Sequence, residues 1–427
     1  MSKQAKKGLL PERRFPEFQD KGAWERSQLG ALSTIVRGGS PRPIEAFLTR
    51  DVNGLNWLKI GDVDKGSKYV IHTEERVKDS ALSKTRVVNN GDLIMSNSMS
   101  FGRPYIMKIA SCIHDGWIAV TNINDNIDRD YLYYLILSNE SQIYFFNSAA
   151  GGGVKNLNAE IIKALPVAFP QKDEQQKIAH CLASIDDLIA AQAQKLIDLK
   201  NHKRGLLQRL FPMEGETVPK HRFPEFQDQD KWVASTIGDI SEITSGGTPS
   251  RSMPEYWDGD IPWVSTTLID FNTIKNVNEY ITQDGLNNSS TKIIPEGALL
   301  MAMYGQGITR GKVAKLGIDA TINQACAAIL LNDKVNAEFV FQNLAARYDE
   351  IRKISNPGGQ ENLSATLIKQ IPFSYPNIES GEQQKIATCL ASIDKLIAAQ
   401  TQKLDAFKAH KKGLMQQLFP KMDEESA

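Results

Sequence analysis

The stretch EQQKIAHCLASIDDLIAAQAQKLIDLKNHKRGLLQRLFP, from Glu174 to Pro212, occurs a second time as EQQKIATCLASIDKLIAAQTQKLDAFKAHKKGLMQQLFP, from Glu382 to Pro420. The two copies are identical at 29 of 39 aligned positions and lie 208 residues apart in a chain of 427 residues. The segment RFPEFQD recurs at the same spacing, from Arg14 to Asp20 and from Arg222 to Asp228. The sequences between these segments hardly match. The chain is therefore a tandem pair with similar flanks and divergent middle regions.

Each copy of the repeat carries apolar residues at alternating steps of four and three over more than four heptads. That spacing predicts a long helix whose apolar seam packs along its length against another helix, as in a coiled coil. We expect helices at 173–212 and 381–420, capped at Asp173 and Ser380 and ended by Leu-Phe-Pro. The residues predicted to form the seam and to contact a partner are Ile178, Leu182, Ile185, Ile189, Leu196, Leu206, Leu210, Ile386, Leu390, Ile393, Ile397, Leu404, Leu414 and Leu418.

The most economical partner for one seam is the other copy in the same chain. Two equivalent units that pack through the same face do so about a pseudo-twofold axis, which makes the two helices antiparallel. The alternative is a homodimeric coiled coil formed by two molecules. The basic residues near the helix ends, including Lys203 and Lys411, are interpreted mainly as a solvated face. A phosphate track or a contact to an acidic groove of a partner is the alternative for them.

The middle regions are predicted to be α/β domains, each of about 150 residues. Short strands are predicted at Trp57 to Val63, Gly91 to Ser96, Pro104 to Ile109 and Gly116 to Val120, and a buried helix at Tyr131 to Phe146. The fold class is then α+β, a mixed α/β architecture. In it, two domains related by a pseudo-twofold axis are separated by a long antiparallel two-helix coiled coil.

Composition and motifs argue against several classes of protein. The 50 basic and 50 acidic residues cancel, so the global charge does not indicate nucleic-acid binding, although a local basic face could support it. The four cysteines form no CxxC pair and the six histidines form no ligand cluster, so no metal is expected. No apolar run or signal peptide suggests a membrane, which favours a cytoplasmic protein. Neither middle region has a catalytic constellation, which predicts a binding subunit and not an enzyme.

Each middle region contains glycine-rich polar loops whose side chains suit DNA. Arginine pairs best with guanine, asparagine and glutamine pair with adenine, and serine, threonine and lysine suit phosphates. An ordinary surface turn is the alternative for each loop taken alone. The residues predicted to contact DNA are Arg37, Ser40, Arg42, Asn97, Ser98, Arg103, Lys155 and Asn156 in the first region and Thr248, Ser250, Arg251, Tyr304, Gln306, Thr309, Arg310, Lys312, Gln360 and Asn362 in the second.

In two ordered copies, these segments resemble the specificity subunit of type I restriction-modification systems. RFPEF precedes each middle region, Gly-Gly-Ser/Thr-Pro with a following arginine lies near its start, and Gly-Gly with a following Asn-Leu lies near its end. The resemblance covers nearly the whole chain. It implies an N-terminal arm (1–23), a first target-recognition domain (24–172), a first conserved spacer helix (173–212), a linker (213–231), a second target-recognition domain (232–380), a second spacer helix (381–420) and a tail (421–427).

The resemblance also implies a function. Each target-recognition domain would read one half of a bipartite, asymmetric site in double-stranded DNA, and the spacer helices would dock two copies of a modification (methyltransferase) subunit. The complex would methylate adenine and, with a restriction (motor-nuclease) subunit, carry out ATP-dependent restriction. The chain itself would bind no cofactor, because S-adenosylmethionine, ATP and Mg would be held by the partner subunits. A coiled-coil adaptor and an independent DNA-binding regulator are the alternatives.

Overall fold

The computed structural model of the protein describes residues 9–64, 66–97, 102–149, 157–213, 215–304, 308–354 and 362–421. The chain divides into two compact units. Unit 1 comprises Met1–Gln192 together with Lys403–Ala427, and unit 2 comprises Ala193–Gln402. Each unit therefore holds one middle region and a part of both repeated segments.

Unit 1 is rich in short strands. Its strands are β1 (Glu25–Gln28), β2 (Thr34–Arg37), β3 (Leu48–Thr49), β4 (Leu55–Leu58), β5 (Tyr69–Val70), β6 (Glu75–Val77), β7 (Arg86–Val88), β8 (Leu93–Ser96), β9 (Pro104–Met107), β10 (Ser111–Ile113), β11 (Trp117–Thr121) and β12 (Pro166–Phe169). Its helices are α1 (Leu29–Leu32), α2 (Arg129–Leu137), α3 (Asn139–Ser148), α4 (Ala159–Lys163) and the first part of α5 (Lys172–Leu210).

The strands of unit 1 form two five-stranded sheets, in the orders β2-β11-β8-β9-β5 and β3-β6-β4-β10-β7, and β1 pairs with β12. Successive side chains of a strand point to opposite sides of the sheet. In the first sheet both sides are buried, each against a different core. Met95 and Ile118 belong to the core shared with the helices, whereas Ile94 and Trp117 belong to a core on the opposite face. This burial on both faces explains the nearly continuous apolar runs of β8 and β11.

Unit 2 repeats this plan with different lengths. Its strands are β13 (Val233–Thr236), β14 (Ser241–Ser245), β15 (Trp257–Val264), β16 (Thr273–Ile274), β17 (Glu279–Ile281), β18 (Ile293–Ile294), β19 (Leu299–Ala302), β20 (Val313–Leu316), β21 (Ala320–Ile322), β22 (Cys326–Leu331) and β23 (Pro372–Tyr375). Its helices are α6 (Gln283–Asn287), α7 (Ala337–Ala346), α8 (Tyr348–Ile351), α9 (Ala365–Lys369) and the first part of α10 (Glu382–Leu418).

The main sheet of unit 2 has the order β14-β22-β19-β20-β16, the second sheet has the order β17-β15-β21-β18, and β13 pairs with β23. Side chains alternate across the main sheet here as well. Leu299 and Met301 lie in the core that includes the long helices, and Leu300 and Ala302 lie in the core on the opposite face. The two middle regions thus share a sheet-and-helix scaffold although their sequences differ.

The two long helices pack together inside each unit. In unit 1, Ile178 near the start of α5 shares a core with Leu418 at the end of α10. In unit 2, Leu210 at the end of α5 shares a core with Ile386 near the start of α10. In each unit the beginning of one helix therefore lies beside the end of the other. The predicted mixed α/β architecture with two β-rich domains and packed long helices is confirmed.

Local predictions differ from the structure in a few places. The helix predicted at 131–146 is interrupted at Ser138, whose extended backbone (ψ 155°) ends α2 and whose hydroxyl caps α3 by accepting from the amide of Ser141. The strand predicted at 57–63 ends at Leu58 and is followed by a 3-10 turn. The cap predicted at Asp173 is wrong, because α5 already begins at Lys172. The second helix begins two residues after Ser380, whose hydroxyl accepts from the amide of Glu382.

Candidate nucleic-acid interface

A Gly-Gly turn opens the candidate site of unit 1. The amide of Gly38 donates to the carbonyl of Trp117 at 2.9 Å. The amide of Gly39 donates to the carbonyl of Ile113 at 3.1 Å. A Cβ atom on Gly38 would overlap the carbonyl oxygen of His114. The loop after β2 is therefore pressed against the turn between β10 and β11, an approach that glycine permits because it has no side chain.

Unit 2 has the same contact. The amide of Gly247 donates to the carbonyl of Ile322 at 2.9 Å, and a Cβ atom on Gly246 would overlap that carbonyl oxygen. The hydroxyl of Thr291 donates to the same carbonyl of Ile322 at 3.0 Å. In unit 1 the hydroxyl of Thr85 donates to the carbonyl of Ile113, also at 3.0 Å. The bonds of Gly247 and Thr291 in unit 2 are therefore equivalent to those of Gly39 and Thr85 in unit 1.

Four of the residues predicted to contact DNA surround Asp115, in the turn between β10 and β11. The hydroxyl of Ser40 donates to Oδ1 of Asp115 at 2.7 Å. Nε of Arg37 and Nδ2 of Asn97 donate to the backbone carbonyl of Asp115, at 2.8 and 2.9 Å. Nη2 of Arg42 lies 3.7 Å from Oδ2. The sequence analysis did not select Asp115, since a turn between two strands gives no sign of what will pack around it.

The charge of this cluster is that of a carboxylate with two arginines. The hydrogen bond from Ser40 lowers the pKa of Asp115, and the nearby charge of Arg37 lowers it further. Burial lowers the pKa of His114 despite the adjacent carboxylate. The imidazole Nδ1 accepts from the amide of Gly116 at 2.7 Å. At neutral pH the imidazole is therefore neutral, and its 3.7 Å approach to Asp115 is not an ion pair.

The loop after β8 returns to the sheet at Gly102, whose φ of 69° lies in the left-handed region. The guanidinium of the next residue, Arg103, lies over the ring of Tyr105 at 5.7 Å. Its Nε atom has no hydrogen-bond partner among the described residues. Three further predicted contacts of this region, Ser98, Lys155 and Asn156, fall outside the described residues.

In unit 2, Gln324 takes the place that Asp115 has in unit 1. The hydroxyl of Thr248, which aligns with Ser40, donates to Oε1 of Gln324. The backbone amide of Met303 donates to the carbonyl of Ala325 at 2.8 Å. The equivalent bond in unit 1 runs from the backbone amide of Asn97 to the carbonyl of Gly116 at 3.1 Å. The backbone is thus shared, but the side chains at its centre differ in charge.

Arg251 is the most firmly held of the predicted contacts in unit 2. Its guanidinium stacks 3.6 Å above the ring of Trp257, lies 5.1 Å from the ring of Trp263, and pairs with Glu279 at 2.5 Å. The neighbouring Ser250 supports this arrangement, because its carbonyl accepts from the indole nitrogen of Trp257 at 3.2 Å. The arginine is thereby preorganised while its side chain stays 55% exposed.

Other predicted residues of unit 2 contribute to the domain itself. Arg310 is buried and donates to the carbonyl of Arg352 at 2.6 Å. Lys312 pairs with Asp270 at 2.6 Å. Tyr304 is exposed, Thr309 and Asn362 are half-buried, and Gln306 and Gln360 fall outside the described residues.

The repeated motifs that flank each middle region form buried ion pairs that sequence reasoning did not identify. Nε and Nη2 of Arg14 each donate to one oxygen of Glu174 at 2.7 Å. Arg222 does the same to Glu382, at 2.9 and 2.5 Å. The two carboxylate side chains are only 2% and 1% exposed. Each pair joins the RFPEF segment to the start of a long helix. The recurrence of both motifs at the same spacing was the sequence feature that could have indicated this contact.

The glutamine after each of these glutamates, Gln175 or Gln383, ties the long helix to its domain through backbone atoms. Each side chain accepts from one amide and donates to two carbonyls at 2.7–3.0 Å. The partners are Asp128, Asn126 and Pro170 for Gln175, and Asn336, Lys334 and Pro376 for Gln383. The Glu-Gln segment at each helix start is therefore a two-residue attachment, which we call the EQ anchor.

Two of the basic residues interpreted as solvated, Lys203 and Lys411, are instead paired across the helices. Nζ of Lys203 lies 2.7 Å from Asp394 in unit 2. Nζ of Lys411 lies 2.5 Å from Asp186 in unit 1, where Tyr134 also donates to the carboxylate at 2.8 Å. Polar seam positions meet acidic residues of the facing helix, so these two lysines are neither free for phosphate nor fully solvated.

The predicted seam residues are all at least half-buried in their units. Ile178, Leu182, Ile185, Leu210, Ile386, Leu390, Ile393, Leu404 and Leu418 are buried, and Ile189, Leu196, Leu206, Ile397 and Leu414 are half-buried.

Each long helix also carries an exposed stripe that is identical in the two copies. The stripe consists of Ser184, Leu188 and Ala191 on α5, and of Ser392, Leu396 and Ala399 on α10. The leucines are 46% and 56% exposed. The two helices therefore present the same three side chains to solvent.

Within the described ranges, His, Cys, Asp and Glu residues form no group of three or more that could hold a metal ion. In the same part of the chain, no helix has both the length and the apolar character needed to cross a membrane.

Comparison with known proteins places these features in context. The sequence model of the type I restriction modification DNA specificity domain matches residues 21–201 and 229–409. The chain is 22% identical to the MjaVIII type I restriction enzyme specificity subunit of Methanocaldococcus jannaschii over 415 residues, which cover 93% of this chain and 92% of that protein. It is 27% identical to the EcoR124I/EcoR124II specificity subunit of Escherichia coli over 171 residues, 40% of this chain and 42% of that protein.

Solved structures show the same fold. The S subunit of a type I restriction-modification system from M. genitalium aligns with a TM-score of 0.61 at 15% identity, covering 97% of this chain and 100% of that one. A chain from a structure concerned with complex assembly and conformational transition of the type I system aligns with a TM-score of 0.59 at 15% identity, covering 93% and 98%.

Proposed function

Because the chain belongs to the type I restriction modification DNA specificity family, we propose that its target-recognition domains, residues 24–172 and 232–380, each read one half of a bipartite site in double-stranded DNA. The chain is a DNA specificity subunit of a type I restriction-modification enzyme, and such subunits are non-catalytic. The two half-sites differ in sequence, so the whole target is asymmetric.

One observation carries this proposal: the two units share a backbone frame but place different side chains on it. The Gly-Gly turn and the turn beside it make equivalent hydrogen bonds in the two units, whereas Asp115 in one unit is matched by Gln324 in the other. A common scaffold with unlike polar groups suits two domains that bind the same kind of ligand with different sequence preferences.

The long helices show the opposite pattern, and this supports their role as docking surfaces. Their exposed stripes are identical, which suits two identical partners. We infer that each stripe docks one modification subunit, and that a restriction subunit joins the same complex. S-adenosylmethionine, ATP and Mg are then held by these partners, which carry out adenine methylation and ATP-dependent restriction.

The proposed function is tested by co-expressing the chain with its modification subunit and mapping methylated adenines across a genome. We expect one bipartite motif with a fixed gap and two unlike halves. A cell that expresses the modification subunit alone is the control. Scattered methylation, or a motif with a single block, would contradict the proposal, and the second result would favour an independent DNA-binding regulator.

Charge placed on the stripes should remove partners one at a time. With Leu188→Asp we expect native mass spectrometry to find one modification subunit per chain in place of two, and with Leu188→Asp/Leu396→Asp none. Burying a carboxylate in an apolar contact is costly, so methylation should also be lost. Ile197→Asp is the matched control, because Ile197 is 51% exposed on the same helix and its counterpart is already Asp405. Two bound subunits in the double variant would show that the stripes are not the docking sites.

A further inference from the structure

Residues 115 and 324 occupy one position in the common frame. Each lies two residues after the residue, Ile113 or Ile322, whose carbonyl accepts from the second glycine of the Gly-Gly turn. Each side chain accepts a hydrogen bond from the hydroxyl of the residue that follows this turn. In unit 1 the donor is Ser40, and in unit 2 it is Thr248. The frame thus fixes the side chain by one oxygen and leaves the rest of its polar group for another contact.

The carboxylate of Asp115 retains capacity to accept. Ser40 occupies Oδ1, but the guanidinium nitrogens of Arg42 and Arg37 lie 3.7 and 4.0 Å from Oδ2, beyond hydrogen-bond distance. The side chain is 41% exposed. In unit 2, Gln324 is exposed, and its amide nitrogen donates no hydrogen bond among the described residues.

Holding the arginines does not account for the carboxylate. Arg37 donates to the backbone carbonyl of residue 115, so any residue at that position would keep this bond. Arg42 is 83% exposed, and its one ionic contact with the described residues is the 3.7 Å approach to Asp115. A DNA phosphate would repel a carboxylate that still has an oxygen free of hydrogen bonds. The amino group of a base would instead donate a hydrogen bond to that oxygen.

The chemistry of the two side chains then differs in a defined way. In the major groove a carboxylate accepts from N4 of cytosine, and a glutamine pairs through its acceptor and donor with N6 and N7 of adenine. We propose that residues 115 and 324 are the equivalent base-reading positions of the two domains, Asp115 selecting cytosine in one half-site and Gln324 selecting adenine in the other. This inference rests on the proposed function of the two domains.

The test is the methylation motif of Asp115→Gln in the complete complex with its modification subunit. We expect one base pair of one half-site to change from cytosine to adenine, with the other half-site and the gap unchanged. A good base contact discriminates by about 1–3 kcal/mol, which corresponds to a preference of about fivefold to 150-fold. The reciprocal variant Gln324→Asp should change one base pair in the other half-site. Glu45→Gln, an exposed acidic residue of the first domain, should leave the motif as it is.

The outcomes separate this inference from the proposed function. If the wild-type complex yields no bipartite motif, both fail. If the wild type yields one and Asp115→Gln keeps the same motif, only the inference fails. A motif that becomes degenerate at one base without a new preference would make Asp115 a positioning residue for the arginines, and would also overturn the inference. Should Asp115→Gln prove unfolded by circular dichroism, Gln324→Asp decides alone, since it lies in the other unit.

Discussion

Glu174→Ala is expected to lower the free energy of unfolding by about 3–5 kcal/mol, the cost of removing one partner from a buried ion pair. The two bonds from Arg14 are 2.7 Å long, and both side chains are at most 9% exposed. Without the carboxylate, the guanidinium stays buried, and the acceptors left to it within the described part of the chain are the carbonyls of Lys21 and Gly22. Urea denaturation followed by circular dichroism measures the loss.

The chain supplies a control for this variant. Lys177 and Glu17 form an ion pair beside the anchor at 3.0 Å, but their side chains are about half-exposed (51% and 47%). Lys177→Ala should leave the unfolding midpoint unchanged, because exposed pairs add little. Glu382→Ala should repeat the large loss through the second anchor. A small effect of both glutamate variants would show that the anchors are not needed to hold the RFPEF segments in place.

Replacing residues 24–172 with the corresponding domain of another family member should change one half-site completely and leave the other half-site and the gap intact. The replaced domain meets the spacer helices through Gln175 of the EQ anchor and through the core that it shares with Ile178, Leu182 and Leu418, and all four residues lie outside the exchanged segment. The amide of Gln175 bonds only to backbone atoms of the domain, so an unrelated sequence with the same backbone can satisfy it.

Methylation mapping of this chimaera gives the result directly. The spacer helices are unchanged in the chimaera, so the distance between the half-sites should be unchanged too. An altered gap, or changes in both halves, would contradict the division of function between domains and helices. Exchange of residues 232–380 is the reciprocal experiment, and it should alter the half-site that the first exchange leaves intact.

Much of the scaffold could be predicted from the sequence because it depends on local pattern. The two long helices follow from the spacing of apolar residues, and β8, β9 and β11 follow from short apolar runs between turn residues. The break at Ser138 could not be predicted in this way, because the apolar pattern continues across it. The extended backbone of Ser138 ends α2, and its hydroxyl caps the start of α3. The pairing of Lys203 with Asp394 was missed because it depends on which residues of the two helices face each other.

The candidate site could be predicted less completely. Loop composition identified Ser40, Arg42 and Asn97, which the structure brings together around Asp115. It could not identify Asp115, whose position depends on the register of two strands distant in sequence. Composition also could not separate an exposed arginine such as Arg251 from a buried one such as Arg310, because burial is set by the packing of the whole domain.

The division of the chain between the units has a consequence for protein synthesis. Unit 2 is a continuous stretch, Ala193–Gln402, but unit 1 needs Lys403–Ala427 as well as the N-terminal part. The ring of Phe419 lies 5.5 Å from that of Tyr131, in a core that also contains Leu418. When the first domain leaves the ribosome, its core therefore still lacks the residues from Lys403 onward. The second domain has all of its residues once Gln402 has been synthesised. We expect the domain translated second to complete its folding first, reversing the usual order of folding along a nascent chain.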